Sequence, residues 1–217
     1  MNRTLPLAFL AGVSFAWTAP ATAHESFDGH AITIEYGLSS NGTASGWIAA
    51  KSQTVIGSNA AIEIPALTVT DGVTWEIDFF GDNQISLRYT GTKDFMNFGF
   101  PALQGFRIVD AANTLPAIQM VHVLNTAYVP NTPGNLIEGF AAADAFTNGP
   151  NDIFINLYQS MYHHHPMPSM GDPYRDRIVL GAHFEHMAQP VPEPEQWLLM
   201  LAGLGLAAAV ARNRRRG

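Results

Sequence analysis

The sequence predicts an all-β protein, an antiparallel β-sandwich or jelly roll, with an N-terminal signal helix and a C-terminal hydrophobic helix. Short segments that alternate apolar and polar residues recur through the middle of the chain, which is the period of half-buried strands. Clusters of Gly, Asn, Asp and Pro separate these segments. No repeating βαβ pattern and no repeat of fixed period is present in the sequence, so a parallel sheet and a solenoid are not expected.

Composition divides the chain into three regions: a largely apolar N-terminal segment over 1–23, a middle domain over 24–187, and a Pro-rich linker with an apolar, arginine-ended tail over 188–217. The net charge of the chain is −7. The middle region carries six basic and sixteen acidic residues, a net charge of −10. A surface this acidic repels phosphate backbones, so nucleic acid is not expected as a partner. The chain has no cysteine, so no disulfide stabilises it.

The N-terminal region has the three parts of a secretory signal. Arg3 supplies the positive charge, Leu5 to Trp17 an apolar stretch, and Ala21 and Ala23 the small residues of a cleavage site. The apolar stretch is short for a membrane span. The general secretion machinery is therefore the expected partner, with cleavage after Ala23.

A hairpin is the clearest signal in the middle region. Apolar residues alternate with polar ones along Val73 to Phe79 and again along Ile85 to Tyr89, and Phe80 to Asn83 supplies turn residues between them. Leu136 to Phe146 is predicted as a short helix. The other predicted strands are Ala31–Gly37, Trp47–Lys51, Ala61–Ile64, Gln104–Val109, Ile118–Leu124, Asp152–Leu157 and Ile178–Glu185.

The C-terminal region combines a stiff Pro-rich segment, a short apolar helix over 197–211 and an arginine cluster over 212–216. At 1.5 Å per residue the helix is roughly 22 Å long, short of the roughly 30 Å hydrocarbon core of a bilayer. The arginines are expected to stay cytoplasmic, which leaves the middle region outside. The residues that define the Pro-rich segment and the arginine cluster are Val191, Pro192, Glu193, Pro194, Arg212, Arg214, Arg215 and Arg216.

This order of Val-Pro-Glu-Pro, apolar helix and arginine cluster resembles the PEP-CTERM sorting signal of Gram-negative bacteria. The resemblance implies processing by an exosortase after a transient stay in the inner membrane. It also implies a final location in the cell envelope or extracellular matrix, with a link to exopolysaccharide and biofilm. The alternative is an ordinary membrane anchor, for which a longer helix is expected.

The stretch from Phe98 to Phe184 also resembles exported domains found in PEP-CTERM proteins. Gly105-Phe106, Asp110, the run from Thr114 to Ile118 and the strand from Asp152 to Asn156 carry this resemblance. It implies a β-sandwich without an assigned activity and supplies no catalytic residues.

Signatures of catalysis are missing from the sequence. There is no Gly-x-Ser-x-Gly elbow, no cysteine nucleophile and no Gly-rich phosphate loop. His183 and His186 lie on a predicted strand and face opposite ways, unlike the two histidines of a zinc-protease helix. The sequence therefore predicts a non-enzymatic protein. A secreted carbohydrate-acting enzyme is a further alternative, in which exposed aromatic residues would stack on sugar rings.

A His- and Met-rich loop over 161–170 is the one local anomaly. In an extended chain His163 and His165 point to the same side, about 6.5 Å apart. His183, on the polar face of the last strand, is the third candidate ligand, and imidazole with thioether favours copper or zinc. The alternative interpretation is a stiff, solvated loop without a metal.

Three other features suggest chemistry less directly. His24, the expected first mature residue, could bind copper through its amine and ring, although no second-histidine motif accompanies it. Glu76 and Asp78 could form a carboxylate pair, but alternation places them on the solvated face of one strand, so they are predicted to be surface residues. Trp75 and Phe79 could stack on sugar rings if they were exposed, but they follow the core face and are predicted to pack inside.

Overall fold

The computed structural model describes residues 26–81, 83–97, 102–125, 137–164, 176–185, 202–204 and 212. The strands are β1 (Ala31–Ser39), β2 (Trp47–Ile56), β3 (Ile64–Thr70), β4 (Val73–Phe80), β5 (Gln84–Tyr89), β6 (Phe95–Met96), β7 (Gln104–Val109), β8 (Ile118–Val123), β9 (Ala145–Thr147), β10 (Asp152–Asn156), β11 (Met161–Tyr162) and β12 (Arg177–Phe184). Two single-turn 3₁₀ helices cover Ala44–Gly46 and Ala142–Asp144.

These strands form two five-stranded sheets and one two-stranded ribbon, antiparallel at every described pairing. One sheet has the order β2-β1-β7-β10-β9 and the other the order β3-β4-β5-β12-β8, while β6 and β11 pair with each other. The predicted antiparallel all-β class is therefore confirmed.

Side chains from both large sheets share one apolar core. Trp75 of β4 lies 5.3 Å, between ring centroids, from Phe106 of β7 in the other sheet. Phe27, which precedes β1, lies 5.0 Å from Phe79. Burying such aromatic rings removes a large apolar area from water, which is the main stabilising contribution to the domain.

The predicted hairpin is confirmed, and the core face of β4 is as expected, whereas in β5 Ser86 is buried although alternation placed it on the polar face. In β4 each odd residue is buried and each even residue is half-buried. Trp75 faces Tyr89 and Phe79 faces Ile85 across β4 and β5. Both Trp75 and Phe79 belong to the core.

The strand predicted over Ala61 to Ile64 is wrong, because β3 begins at Ile64 and the preceding residues form bends. The Glu63 carboxylate explains the bend. Its Oε1 accepts a hydrogen bond of 2.7 Å from the Ser58 backbone, and its Oε2 accepts one of 2.7 Å from the backbone N–H of Phe79. A side chain tied to both segments fixes a turn where a strand was expected.

The helix predicted over Leu136 to Phe146 is also wrong. Gly139 has φ +79°, which no helical residue adopts, and Glu138 forms a β-bridge to Met161. The stretch then continues through a single 3₁₀ turn into β9. Ile137, Phe140 and Ala145 are buried in the core, so packing and pairing with distant strands outweigh the local helical pattern.

Both predicted terminal segments lie almost entirely outside the described residues. The signal peptide over 1–23 is outside them, as are Val191 to Pro194. Within 188–217, only 202–204 and Arg212 are described, and they are helical. In the described part of the chain, no helix combines the length and apolar character needed to cross a membrane.

Candidate functional site

A polar cluster of the described domain surrounds His163, the first histidine of the predicted loop. The short ribbon of β6 and β11 places it: Tyr162 pairs with Phe95 and is fully buried, so the chain leaves the core at His163. The next histidine, His164, follows directly, and His165 lies outside the described residues.

Asp176 holds His163 by two contacts. Its Oδ2 accepts a hydrogen bond of 2.8 Å from the His163 backbone N–H and lies 3.0 Å from the ring Nδ1. The Asp176 side chain is only 1% exposed, and on the opposite side of the ring Nε2 lies 3.6 Å from Glu138 Oε2. A buried carboxylate that accepts such bonds fixes the position of the imidazole.

His164 is held separately, at the loop before β6. Its backbone N–H donates to Asp94 Oδ1 at 2.7 Å, and its Nδ1 lies 2.8 Å from the carbonyl oxygen of Gly91. The two neighbouring histidines therefore contact different parts of the domain.

A group of buried aromatic rings lies beneath this loop. The ring of Tyr162 lies 4.9 Å from Trp75, 4.8 Å from Tyr89 and 5.6 Å from Phe95, measured between centroids. Burial raises the pKa of Tyr162, and it raises the pKa of Tyr89 to about 12. These phenols therefore stay neutral at physiological pH and serve as packing groups.

The arrangement around His163 can orient an imidazole. A carboxylate and an imidazole become a catalytic pair only when a hydroxyl, a thiol or a bound water lies within reach of the second ring nitrogen. Here Nε2 faces the carboxylate of Glu138. The contacts described fasten the segment after β11 to the start of β12.

The structure separates the two described histidines of the predicted metal set. His163 contacts Asp176 immediately before β12, and His183 lies near the other end of that strand. Asp176 and His183 are seven strand residues apart, so at about 3.3 Å per residue they are separated by roughly 23 Å. Within the described ranges, no group of three or more His, Asp or Glu residues could hold a metal ion.

His183 instead contacts a histidine that sequence reasoning missed. Its ring stacks on that of His122 in β8, with centroids 4.8 Å apart and planes 29° apart. Strand alternation places both residues on outward faces, but the sequence carries no signal for the register that brings the two strands together.

The outward-facing carboxylates of β4 are half-buried, not fully solvated as predicted. Glu76 forms an ion pair with Arg88 of β5. Burial raises the pKa of Asp78, and the charge of Glu76 raises it further, while Arg88 and Arg177 act in the opposite direction.

Comparison with known proteins identifies the tail. The family model of the PEP-CTERM protein-sorting motif matches residues 190–216, the range that holds the predicted motif residues. Neither the curated proteins nor the solved structures give a significant match to the chain. The chain therefore carries a PEP-CTERM protein-sorting motif at residues 190–216. A motif of this kind supports a protein that is exported and sorted by an exosortase.

Proposed function

We propose that this chain is a non-catalytic protein of the cell envelope or extracellular matrix, processed at both ends before it reaches its final location. The sorting motif over 190–216 is the observation that carries the proposal. Cleavage after Ala23 by the export pathway and removal of the tail near Pro194 would release the β-rich domain alone.

The described domain supports a binding or scaffolding role. We assign it an antiparallel β-sandwich, because Trp75 and Phe106 from different sheets meet in one core. One of its polar clusters holds His163 between two carboxylates. A net charge of −10 over the middle region suits a protein that stays hydrated among extracellular polymers.

The mature mass tests the proposal directly. In cells with an active exosortase, we expect a protein that lacks residues 1–23 and the residues after about 194, located outside the inner membrane. In cells without exosortase, the tail should remain and the protein should stay with the membrane. A full-length, uncut chain in cells that contain exosortase would contradict the proposal.

Variants of the motif sharpen this test. Glu193→Ala and Pro194→Ala change the motif, whereas Gln189→Ala lies just before the matched residues and serves as control. We expect the first two to accumulate the uncut tail and the control to be processed normally.

Association with extracellular polysaccharide is the partner that we propose for the mature domain. Co-sedimentation with the exopolysaccharide of the producing strain should retain the protein, with an unrelated acidic β-protein as control. A hydrolysis screen on the same glycans tests the alternative of a carbohydrate-acting enzyme, and turnover would replace the proposal of a non-catalytic domain.

Copper or zinc binding through the loop over 161–170 stays a prediction. His165 lies outside the described residues, and the described ones keep His163 and His183 apart. Calorimetric titration of the purified protein with each metal, compared with a His165→Ala variant, measures whether the loop binds.

A further inference from the structure

Three polar side chains lie on the inner face of the ribbon formed by β6 and β11. Met96 pairs with Met161, and one position further along the backbone N–H of Asn97 donates to the carbonyl oxygen of Ser160 at 3.1 Å. Side chains alternate between the two faces of a strand, so Asn97, Ser160 and Tyr162 share a face. This face is turned inward, because Ser160 and Tyr162 are fully buried and Asn97 is only 4% exposed.

Tyr36 of β1 reaches the same place from one of the large sheets. Its ring lies 5.2 Å, between centroids, from Phe106, within the group of buried rings that also contains Tyr162. Burial raises the pKa of Tyr36, whereas the neighbouring side chains of Tyr162 and Asn97 act in the opposite direction. Neutral groups have this effect only at short range, so their polar atoms lie near the Tyr36 hydroxyl.

The ribbon cluster, defined as Tyr36, Asn97, Ser160 and Tyr162, contains buried polar atoms that still need partners. Asn97 Nδ2, Ser160 Oγ and the Tyr162 hydroxyl are each buried and form no hydrogen bond of ordinary length and angle with the described residues. Buried polar atoms are nearly always hydrogen-bonded, either to protein or to ordered water. Three of them on one inward face call for a single group that satisfies them together.

We propose that the ribbon cluster binds one internal water molecule, which joins β1 to the ribbon. Polar groups that lie close together without a direct hydrogen bond are commonly bridged by water. A buried water typically makes about three hydrogen bonds to the protein. The Asn97 amide can donate to it, and the three hydroxyls of the cluster can each donate or accept, so both protons and both lone pairs of the water find partners.

A monatomic anion such as chloride is the other small ligand that this chemistry could accept. All four groups of the ribbon cluster can donate a hydrogen bond, but none of them carries a positive charge. Burying an ion without a counter-charge costs far more free energy than burying a neutral molecule. The cluster is therefore matched to water and not to an anion.

The water would also fix the position at which the chain leaves the core. Tyr162 ends β11 and directly precedes His163, whose ring contacts Asp176. A bridge from Tyr36 to Tyr162 holds the last residue of the ribbon against β1. The internal site is independent of the sorting motif and of the partner of the mature protein.

A high-resolution crystal structure of the purified protein tests the site. We expect a water oxygen at about 2.7–3.2 Å from at least three of the four groups. Crystals grown with bromide in place of chloride distinguish the two ligands, because only an anion site would give anomalous scattering from bromine. Direct hydrogen bonds among the four side chains with no density between them, or an anomalous peak at the site, would overturn the proposal.

Oxygen-17 relaxation dispersion counts the long-lived internal waters in solution and allows variants to be compared. The double variant Tyr36→Phe and Tyr162→Phe removes two hydroxyls but keeps the ring shapes, and it should hold one long-lived water fewer than the parent protein. Tyr89→Phe is the matched control, because the Tyr89 hydroxyl donates to the carbonyl oxygen of Lys93. The control should keep the parent number.

An unchanged count in the folded double variant would contradict the site. Urea unfolding shows whether each variant retains the fold. If the double variant does not fold, Asn97→Leu removes the amide donor and supplies the same comparison, and the crystal structure tests the site without any substitution.

Discussion

Replacing Gly105 by alanine should destabilise the domain far more than the same replacement at Gly149. Gly105 has φ +143° and lies in β7, the middle strand of its sheet, while Gly149 has φ +155° in a turn. The backbone conformations are similar, so both substitutions carry a comparable conformational cost, on the order of 1–3 kcal/mol.

The surroundings of the two glycines differ. A Cβ at Gly105 would lie 2.3 Å from the carbonyl oxygen of Ile155 and 3.0 Å from the backbone nitrogen of Leu157. At Gly149 the nearest atom, Oδ1 of Asp152, would be 3.9 Å away. Relieving the contact at Gly105 requires β7 and β10 to move apart where they are hydrogen-bonded.

The extra cost at Gly105 follows from that movement. Loss of one or two backbone hydrogen bonds, at about 1 kcal/mol each, and overpacking of about 1–3 kcal/mol give roughly 2–5 kcal/mol beyond the Gly149 variant. Urea unfolding followed by circular dichroism measures both variants, and the comparison holds if their m-values agree. A difference below about 1 kcal/mol would refute the steric argument.

Three further substitutions test the core and the polar clusters. Trp75→Ala should lower the free energy of unfolding by about 3–5 kcal/mol, because the indole is fully buried and contacts three aromatic rings. Urea unfolding measures this loss, and a loss below about 1 kcal/mol would contradict the prediction. Asp176→Ala should cost about 1–3 kcal/mol, because it removes the acceptor of the His163 backbone N–H, and thermal unfolding against Asp71→Ala, an exposed carboxylate, measures the difference. Asp78→Asn should stabilise the domain at neutral pH: burial raises the folded pKa of Asp78, so the parent protein loses stability as the pH rises above the unfolded value of about 3.9. The higher stability of Asp78→Asn should disappear as the pH falls from the folded pKa of Asp78 to its unfolded value. A stability difference that does not change between about pH 3 and 7 would contradict a raised pKa at Asp78.

Local pattern was sufficient for the elements whose signals are short-range. Alternation along Val73 to Phe79 predicted both the strand and its buried face, and Trp75 lies in the core as expected. The sorting tail is equally local, since proline motif, apolar run and arginine cluster are read in order along the chain, and the family match covers the same residues.

Local pattern failed where a long-range pairing decided the conformation. Ile137 and Phe140 are spaced as on one face of a helix. The positive φ of Gly139 is incompatible with a helix, and the bridge from Glu138 to Met161 pairs this backbone with β11 instead. Similarly, no strand forms over 61–63, because the Glu63 carboxylate accepts a hydrogen bond from the backbone N–H of Phe79 in β4.

The sequence by itself determined the sorting tail, the all-β class and the buried face of β4. Only the tertiary structure decided which residues meet: His183 with His122, and His163 with Asp176. The physical reason is that strand alternation has a period of two and fixes a side of the sheet, whereas the partner strand and its register depend on contacts between distant segments.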